Sequence, residues 1–264
     1  MRNDSVQINT SEAAWSSPAE VIFIKERFFA MLKTDLTLRN PLRCLGGSAE
    51  EILAPGQFGA ILARAGVGKT ALMVQIALNA MLNERNVLHV SLNQPVHKAG
   101  LWYQDIFNHI TAGLGGSQSS QVWESLLPHR FIMTFRTDSF SVPRLEERLG
   151  DLIEQKIFVP RMLIVDGLSF DEPVREMLSE LKKIARLHGL HVWFSIRTHR
   201  HEEPGPEGAP KQLADVDDLF TVAIQLVPVG EEIHVVSLKG VTLTPEHSRL
   251  VLDPTTMLVK NTAP

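Results

Sequence analysis

Apolar residues recur along this chain in two forms. Short, nearly continuous runs predict strands buried on both faces: Gln57–Ala63, Asn86–Leu92, Arg130–Arg136, Arg161–Gly167 and His191–Ile196. Longer periodic stretches between them predict helices. One starts at Lys69 and is apolar on nearly every face (Leu72, Met73, Val74, Ile76, Ala77, Leu78), as for a helix covered on more than one side. Others run from about Val96 to Ala112 and, after the Gly/Ser-rich loop GLGGSQSS, over a short piece near Gln121–Leu127. The next carries Leu145, Leu149, Leu152, Ile153 and Ile157, with Ser141 as its cap and Pro143 in its first turn. Val174–Leu187 is the last. Strands and helices alternating at this spacing predict an α/β fold: a mostly parallel central sheet with helices on both faces.

The two ends of the chain read differently. Residues 1–19 are polar and aperiodic and predict a mobile arm, leaving 20–264 as a single domain. From Glu20, the spacing of Val21, Ile22, Ile24, Phe28, Phe29 and Leu32 predicts an amphipathic helix across a sheet edge. Trp15 with Phe23, Phe28 and Phe29 offers an oligomer contact as the alternative. Arg197–Lys211 is polar and Pro/Gly-rich, hence a surface loop. LFTVAIQLV, IHVVSLK and RLVLDPTTMLV then predict three more strands, partly antiparallel, the first turn using Pro228 and Gly230.

Composition narrows the partners. Lys and Arg total 26 against 30 acidic residues, a net charge of -4, so no overall basic field draws the protein to nucleic acid or anionic lipid. A local basic patch stays open. Cys44 is the one cysteine, which excludes an intrachain disulfide and suits a reducing, cytoplasmic setting. No run approaches the ~18 apolar residues of a membrane span, so a soluble protein is expected.

Candidate chemistry concentrates between the first strand and the helix at Lys69. Gly66 and Gly68 let main-chain N–H groups turn inward toward phosphate oxygens, and the helix N-terminus adds partial positive charge. Residues Arg64, Ala65, Gly66, Val67, Gly68, Lys69, Thr70 and Ala71 form this candidate ATP-binding loop, with Lys69 reaching the β- and γ-phosphates and Thr70 ligating Mg²⁺. Against the G-x-x-x-x-G-K-[ST] (Walker A) pattern, position one is Ala63, which shapes the strand end rather than the phosphate contacts. Asp166, closing the run RMLIVDG, is the candidate carboxylate for a Mg²⁺-bound water, on the strand beside the loop; the same residue type also caps helices.

With these pieces in order, the chain resembles the RecA/KaiC-like P-loop ATPases, and among them the motor domains of hexameric replicative helicases. The likeness covers roughly residues 45–260 and rests on ARAGVGKT, LIVDGLS, LSELKKIARLHGLHVWFSI and the strand before Lys239. It implies nucleotide held between protomers of a homo-oligomer, with Lys239 as the basic finger that completes a neighbour's site. Three departures from the family stand out: the base, the finger and the sensor. Asn93 stands where the family has a water-polarising glutamate, and Gly167 follows Asp166 where other branches keep a base. Val241 replaces the arginine two residues past the finger. Ser195 and Arg197 bracket Ile196 at the polar sensor.

Asparagine orients a water but takes no proton, which implies a penalty on the order of 10²-fold or more on turnover. Gln94 is the nearest substitute, with Asp171 and Glu172 as further candidates. Arg197 or Arg200 would supply a phosphate contact, or both are solvated loop charges, or the RTHRH cluster meets nucleic-acid phosphates. His199 and His201 lack companions at zinc-ligand spacing. The expected function is a slow Mg²⁺-dependent ATPase, hydrolysing ATP to ADP and phosphate to control assembly or conformation. A non-hydrolysing nucleotide switch is the alternative, ahead of a nucleic-acid-dependent ATPase or a small-molecule kinase.

Overall fold

Six consecutive residues from Phe58 to Ala63 are all buried, which only an interior strand covered on both faces allows. The computed structural model describes residues 34, 52–92, 94–199, 210–241 and 249–262. The expected N-terminal arm, the helix from Glu20, the Trp15 and Phe cluster, Cys44, and most of the loop after Arg197 lie outside the described residues.

The elements run β1 (Phe58–Ala63), α1 (Lys69–Leu82), β2 (Val87–Ser91), α2 (Val96–Ile110), α3 (Gly116–Leu126), β3 (Arg130–Thr134), α4 (Val142–Glu154), β4 (Met162–Asp166), α5 (Arg175–Leu187) and β5 (His191–Arg197). A short α6 (Lys211–Ala214) precedes β6 (Phe220–Val229), β7 (Glu232–Lys239), β8 (Leu250–Leu252) and β9 (Val259–Asn261). One sheet holds all nine strands in the order β3-β2-β4-β5-β1-β6-β7-β8-β9. Pairing is parallel from β3 to β6 and antiparallel from β6 to β9.

Two cores follow from this order. From β1 the chain steps outward to β2 and β3, then reverses through β4 and β5, and right-handed crossovers place the helices of the two directions on opposite faces. Accordingly α1, α2 and α3 bury Leu72, Met73, Tyr103, Phe107, Val122 and Leu126 on one face with Ile61, Ile164 and Trp193. On the other, α4 and α5 bury Leu145, Leu149, Leu178 and Leu181 with Phe58, Leu62, Val165 and Phe194. Alternate residues of each central strand serve opposite cores, which explains the unbroken apolar runs.

Several boundaries differ from expectation. The Gly/Ser segment is not all loop: α3 begins at Gly116, because burial of Val122 and Leu126 pulls its flank into the helix. Ser141 precedes α4 but makes no side-chain cap bond, and α4 ends before Ile157, which is 59% exposed. The expected last strand is two short ones, interrupted where Asp253 accepts the Thr255 and Thr256 N–H groups in a turn. Pro228 lies within β6 opposite Ile233, leaving Gly230 at φ 60° to make the turn. Among the described residues no helix is long and apolar enough to cross a membrane.

Candidate functional site

The loop between β1 and α1 opens at the C-terminal edge of the parallel strands, the side on which ligands bind in open α/β sheets. Arg64, Ala65 and Gly66 form its exposed crest, Val67 to Thr70 are half-buried, and Ala71 is inside the core. Gly66 has φ 78° and Gly68 φ 107°, both in the region that L side chains rarely enter. They are needed for different reasons. A side chain on Gly66 would meet open space, whereas the first carbon of one on Gly68 would lie 2.5 Å from Leu252 Cδ2.

Gly68 caps α1 without a side-chain acceptor, and the first turn of the helix holds no acidic residue. The orphan N–H groups and partial positive charge of that helix end are therefore not neutralised by an anionic side chain in the turn. Lys69 folds back over the loop, its Nζ donating to the Ala63 carbonyl at 2.9 Å and the Arg64 carbonyl at 3.0 Å. Burial lowers its pKa first, Asp166 opposes that shift, and the nearby Arg197 guanidinium adds to it. Arg197 ends β5 in register with Ala63, which sets a second cation beside the loop.

Asp166 closes β4 and is held at both oxygens. Thr70 Oγ1 donates to Oδ2 at 3.0 Å and Ser195 Oγ to Oδ1 at 2.5 Å, while the Gly167 N–H donates to Ser195 Oγ at 3.0 Å. The expectation that Asp166 sits on the strand next to β1 is incorrect: β5 lies between β4 and β1. Its carboxylate reaches Thr70 because both side chains occupy the α1 face of the sheet. Ser195, on the intervening strand, fills the gap. Sequence reading placed Ser195 as a sensor candidate, but nothing in the pattern announced its bond to Asp166.

The remaining candidates scatter. Asn93 lies outside the described residues. Gln94 exchanges hydrogen bonds with Ser91 through its main chain (3.2 and 3.0 Å) and lines an open cavity of about 600 Å³ with Thr134–Asp138, between the ends of β2 and β3. Asp171 accepts from His199 Nε2 at 2.8 Å, and that bond is the main cause of its lowered pKa. Lys239 is not brought to Lys69. Its Nζ is tied to Asp217, at 2.6 Å to the carboxylate and 2.8 Å to the carbonyl, at the end of β7. Since β7 runs antiparallel to β6 and β6 runs with β1, the end of β7 lies toward the opposite sheet edge from the loop.

A second polar group went unnoticed in the sequence. His89 on β2 is fully buried; its Nδ1 pairs with the Tyr103 hydroxyl at 3.0 Å, and its Nε2 has no partner among the described residues. Burial lowers its pKa to about 4. Arg130 lies with its guanidinium 4.9 Å from the Tyr103 ring and 5.4 Å from that of Trp123.

The oxygen donors at the loop suit Mg²⁺, which takes few protein ligands and keeps several waters. Thr70 and Asp166 form such a pair at the head of a helix. Among the described residues no group of three or more His, Cys, Asp or Glu side chains converges to hold a metal ion. No protein-family model matches the chain, and no curated protein matches it, so the functional reading rests on this geometry.

Proposed function

We propose that this chain is a RecA/KaiC-like P-loop protein that binds ATP with Mg²⁺ at the β1–α1 loop and hydrolyses it slowly, using occupancy to set its assembly or conformation. One observation carries the reading: at the uncapped head of α1, Lys69 lies beside a Thr70–Asp166–Ser195 chain that joins α1, β4 and β5. A helix start without an anionic cap and two cations favour phosphate, and a hydroxyl paired with a carboxylate favours a hard divalent ion. In this reading the loop N–H groups and Lys69 orient the phosphates, Arg197 contacts the terminal one, and Thr70 and Asp166 hold the ion. Mg²⁺ would there neutralise charge developing on the transferred phosphoryl group.

Slow turnover follows from what the carboxylates already do. Asp166 is engaged at both oxygens, and Asp171 is occupied by His199. Neither is poised to take a proton from water, and position 93 is an amide. The same observations favour the second reading, a nucleotide switch without turnover; Asn93→Glu separates the two, raising ATPase activity strongly only in a slowed hydrolase.

Nucleotide binding is tested by thermal unfolding in millimolar ATP. Mg²⁺-dependent protection of the wild type, absent in Lys69→Ala, is expected from mass action. An unchanged melting temperature for the wild type, with or without Mg²⁺, rejects the reading.

A further inference from the structure

The β8–β9 hairpin sits at the far end of the sheet, with β6 and β7 between it and β1. Neighbouring strands lie about 4.8 Å apart, so a flat sheet would hold β8 well away from the β1–α1 loop. Twist instead curls this edge over α1, where Leu250, Leu252 and Val259 enter the same core as the helix.

Two contacts join the hairpin to the loop and its helix. Leu252, the last residue of β8, is fully buried against Gly68, with its Cδ2 filling the space that any side chain there would need. Met257 Sδ closes the same space from the turn, 3.4 Å from that point. Seven residues on, about two helical turns and so on the same side of α1, Gln75 is 2% exposed. Its Nε2 donates to the Met257 carbonyl at 2.7 Å, and its Oε1 accepts the Val259 N–H at 3.0 Å. A buried side-chain amide in the middle of an apolar helix thus makes its two shorter bonds to main chain more than 180 residues away, with a longer one from Nε2 to the Ala71 carbonyl of its own helix at 3.4 Å.

The residue receiving that bond is itself constrained. Met257 has φ 56°, a conformation few residues other than glycine adopt, so its surroundings must hold it there. Its N–H donates to the Asp253 carbonyl at 2.7 Å, and Asp253 also pairs with Lys260. Gln75 supplies the hydrogen bonds that hold this strained turn on α1, beside the packing of Leu252 and Met257 against Gly68.

We infer that the β8–β9 hairpin positions the phosphate loop, with Leu252 and Gln75 as positioning residues, so that order in the hairpin and occupancy of the loop are coupled. The ligand half of this inference rests on the proposed nucleotide reading; the mechanical half does not. By linkage, whatever the hairpin adds to nucleotide affinity, bound nucleotide returns as order in the hairpin.

Amide hydrogen exchange on the full chain, with and without MgATP, tests both halves. The variants are Gln75→Met, which keeps volume but removes both bonds to the hairpin together with the longer one to the Ala71 carbonyl, Leu252→Ala, and Leu181→Ala as a truncation in the opposite core. Without nucleotide, the Leu72 amide, bonded to the Gly68 carbonyl at 3.0 Å, should exchange about tenfold faster in the first two variants and not in the control. With MgATP, the wild-type Val259 amide should slow by about tenfold, and Gln75→Met should lose both this response and about tenfold in nucleotide affinity. Loop exchange in Gln75→Met indistinguishable from the control overturns the inference even if Leu252→Ala does not fold. Loosened loop amides in a protein that ignores MgATP keep the positioning role and reject the nucleotide reading. MgATP binding with an unmoved loop does the reverse.

Discussion

The two halves of the sheet handle charged side chains in opposite ways. In the parallel half, every strand ends on one edge, so Asp166 at the end of β4 and Ser195 and Arg197 at the end of β5 meet beside Lys69. In the antiparallel half, successive strands end on alternate edges, and Lys239 finishes away from that cluster, tied to Asp217. Parallel topology gathers chemistry from distant parts of a sequence; antiparallel topology disperses it. A lysine's position within a motif thus says little until the direction of its strand is known.

The contrast breaks most plainly at its two lysines. Lys69→Ala should weaken MgATP binding by on the order of 10²- to 10³-fold in a calorimetric titration, since on the proposed reading it removes a charge-assisted contact to phosphate. An affinity within a few-fold of wild type would leave the parallel edge with no special role.

Next in size is a pH effect confined to the parallel half. His89 is held neutral when folded, with its pKa depressed to about 4, whereas the unfolded chain titrates near the ordinary value of about 6.5. The unfolded state therefore binds more protons between those values. The stability His89 contributes is fully present above about pH 6.5 and is lost as pH falls toward 4, amounting to about 3 kcal/mol. Denaturant unfolding from pH 7 to pH 4 should show this slope in the wild type and a flatter one in His89→Leu. Equal slopes would mean that the buried imidazole is not what titrates.

Asp166→Asn should cost about tenfold in affinity for MgATP while leaving Mg²⁺-free ATP nearly unaffected, because on the proposed reading the amide would weaken the ion's site and not the phosphate cradle. Equal losses with and without Mg²⁺ would reassign Asp166 to orienting Thr70 alone. Smallest of all, Lys239→Ala in the isolated protomer should leave affinity within twofold. It should also change stability by no more than about 1 kcal/mol, as for a solvent-screened pair. A larger loss that appears only in an assembled form would restore the expected role of this lysine toward a neighbouring subunit.

The parallel half was also the more readable in sequence. Strands buried on both faces must be continuously apolar, so β1, β2, β4 and β5 announce themselves, and no boundary of theirs differs by more than one residue. Spacing singles out the loop, Thr70 and Asp166, and the structure joins the last two by a hydrogen bond. What was missed depends on tertiary neighbours. Gln75 and His89 are single polar residues within apolar elements, and pattern treats them as interruptions; only the Met257 main chain and the Tyr103 hydroxyl explain them. The start of α3 was hidden by glycine and serine, whose weak helix propensity yielded to burial of Val122 and Leu126. That β5 separates β4 from β1 was likewise unreadable, because strand order is set by crossovers and not by local sequence.

The paired glycines of the loop carry a practical consequence. Saturating both codons and selecting for folded protein should return lopsided results. Position 66, which demands an unusual backbone but has empty space around it, should admit asparagine or aspartate, the residues most tolerant of a left-handed turn. Position 68 should admit nothing, since its φ of 107° strains any side chain and Leu252 also occupies the volume, so a smaller residue at 252 would remove the clash but not the strain.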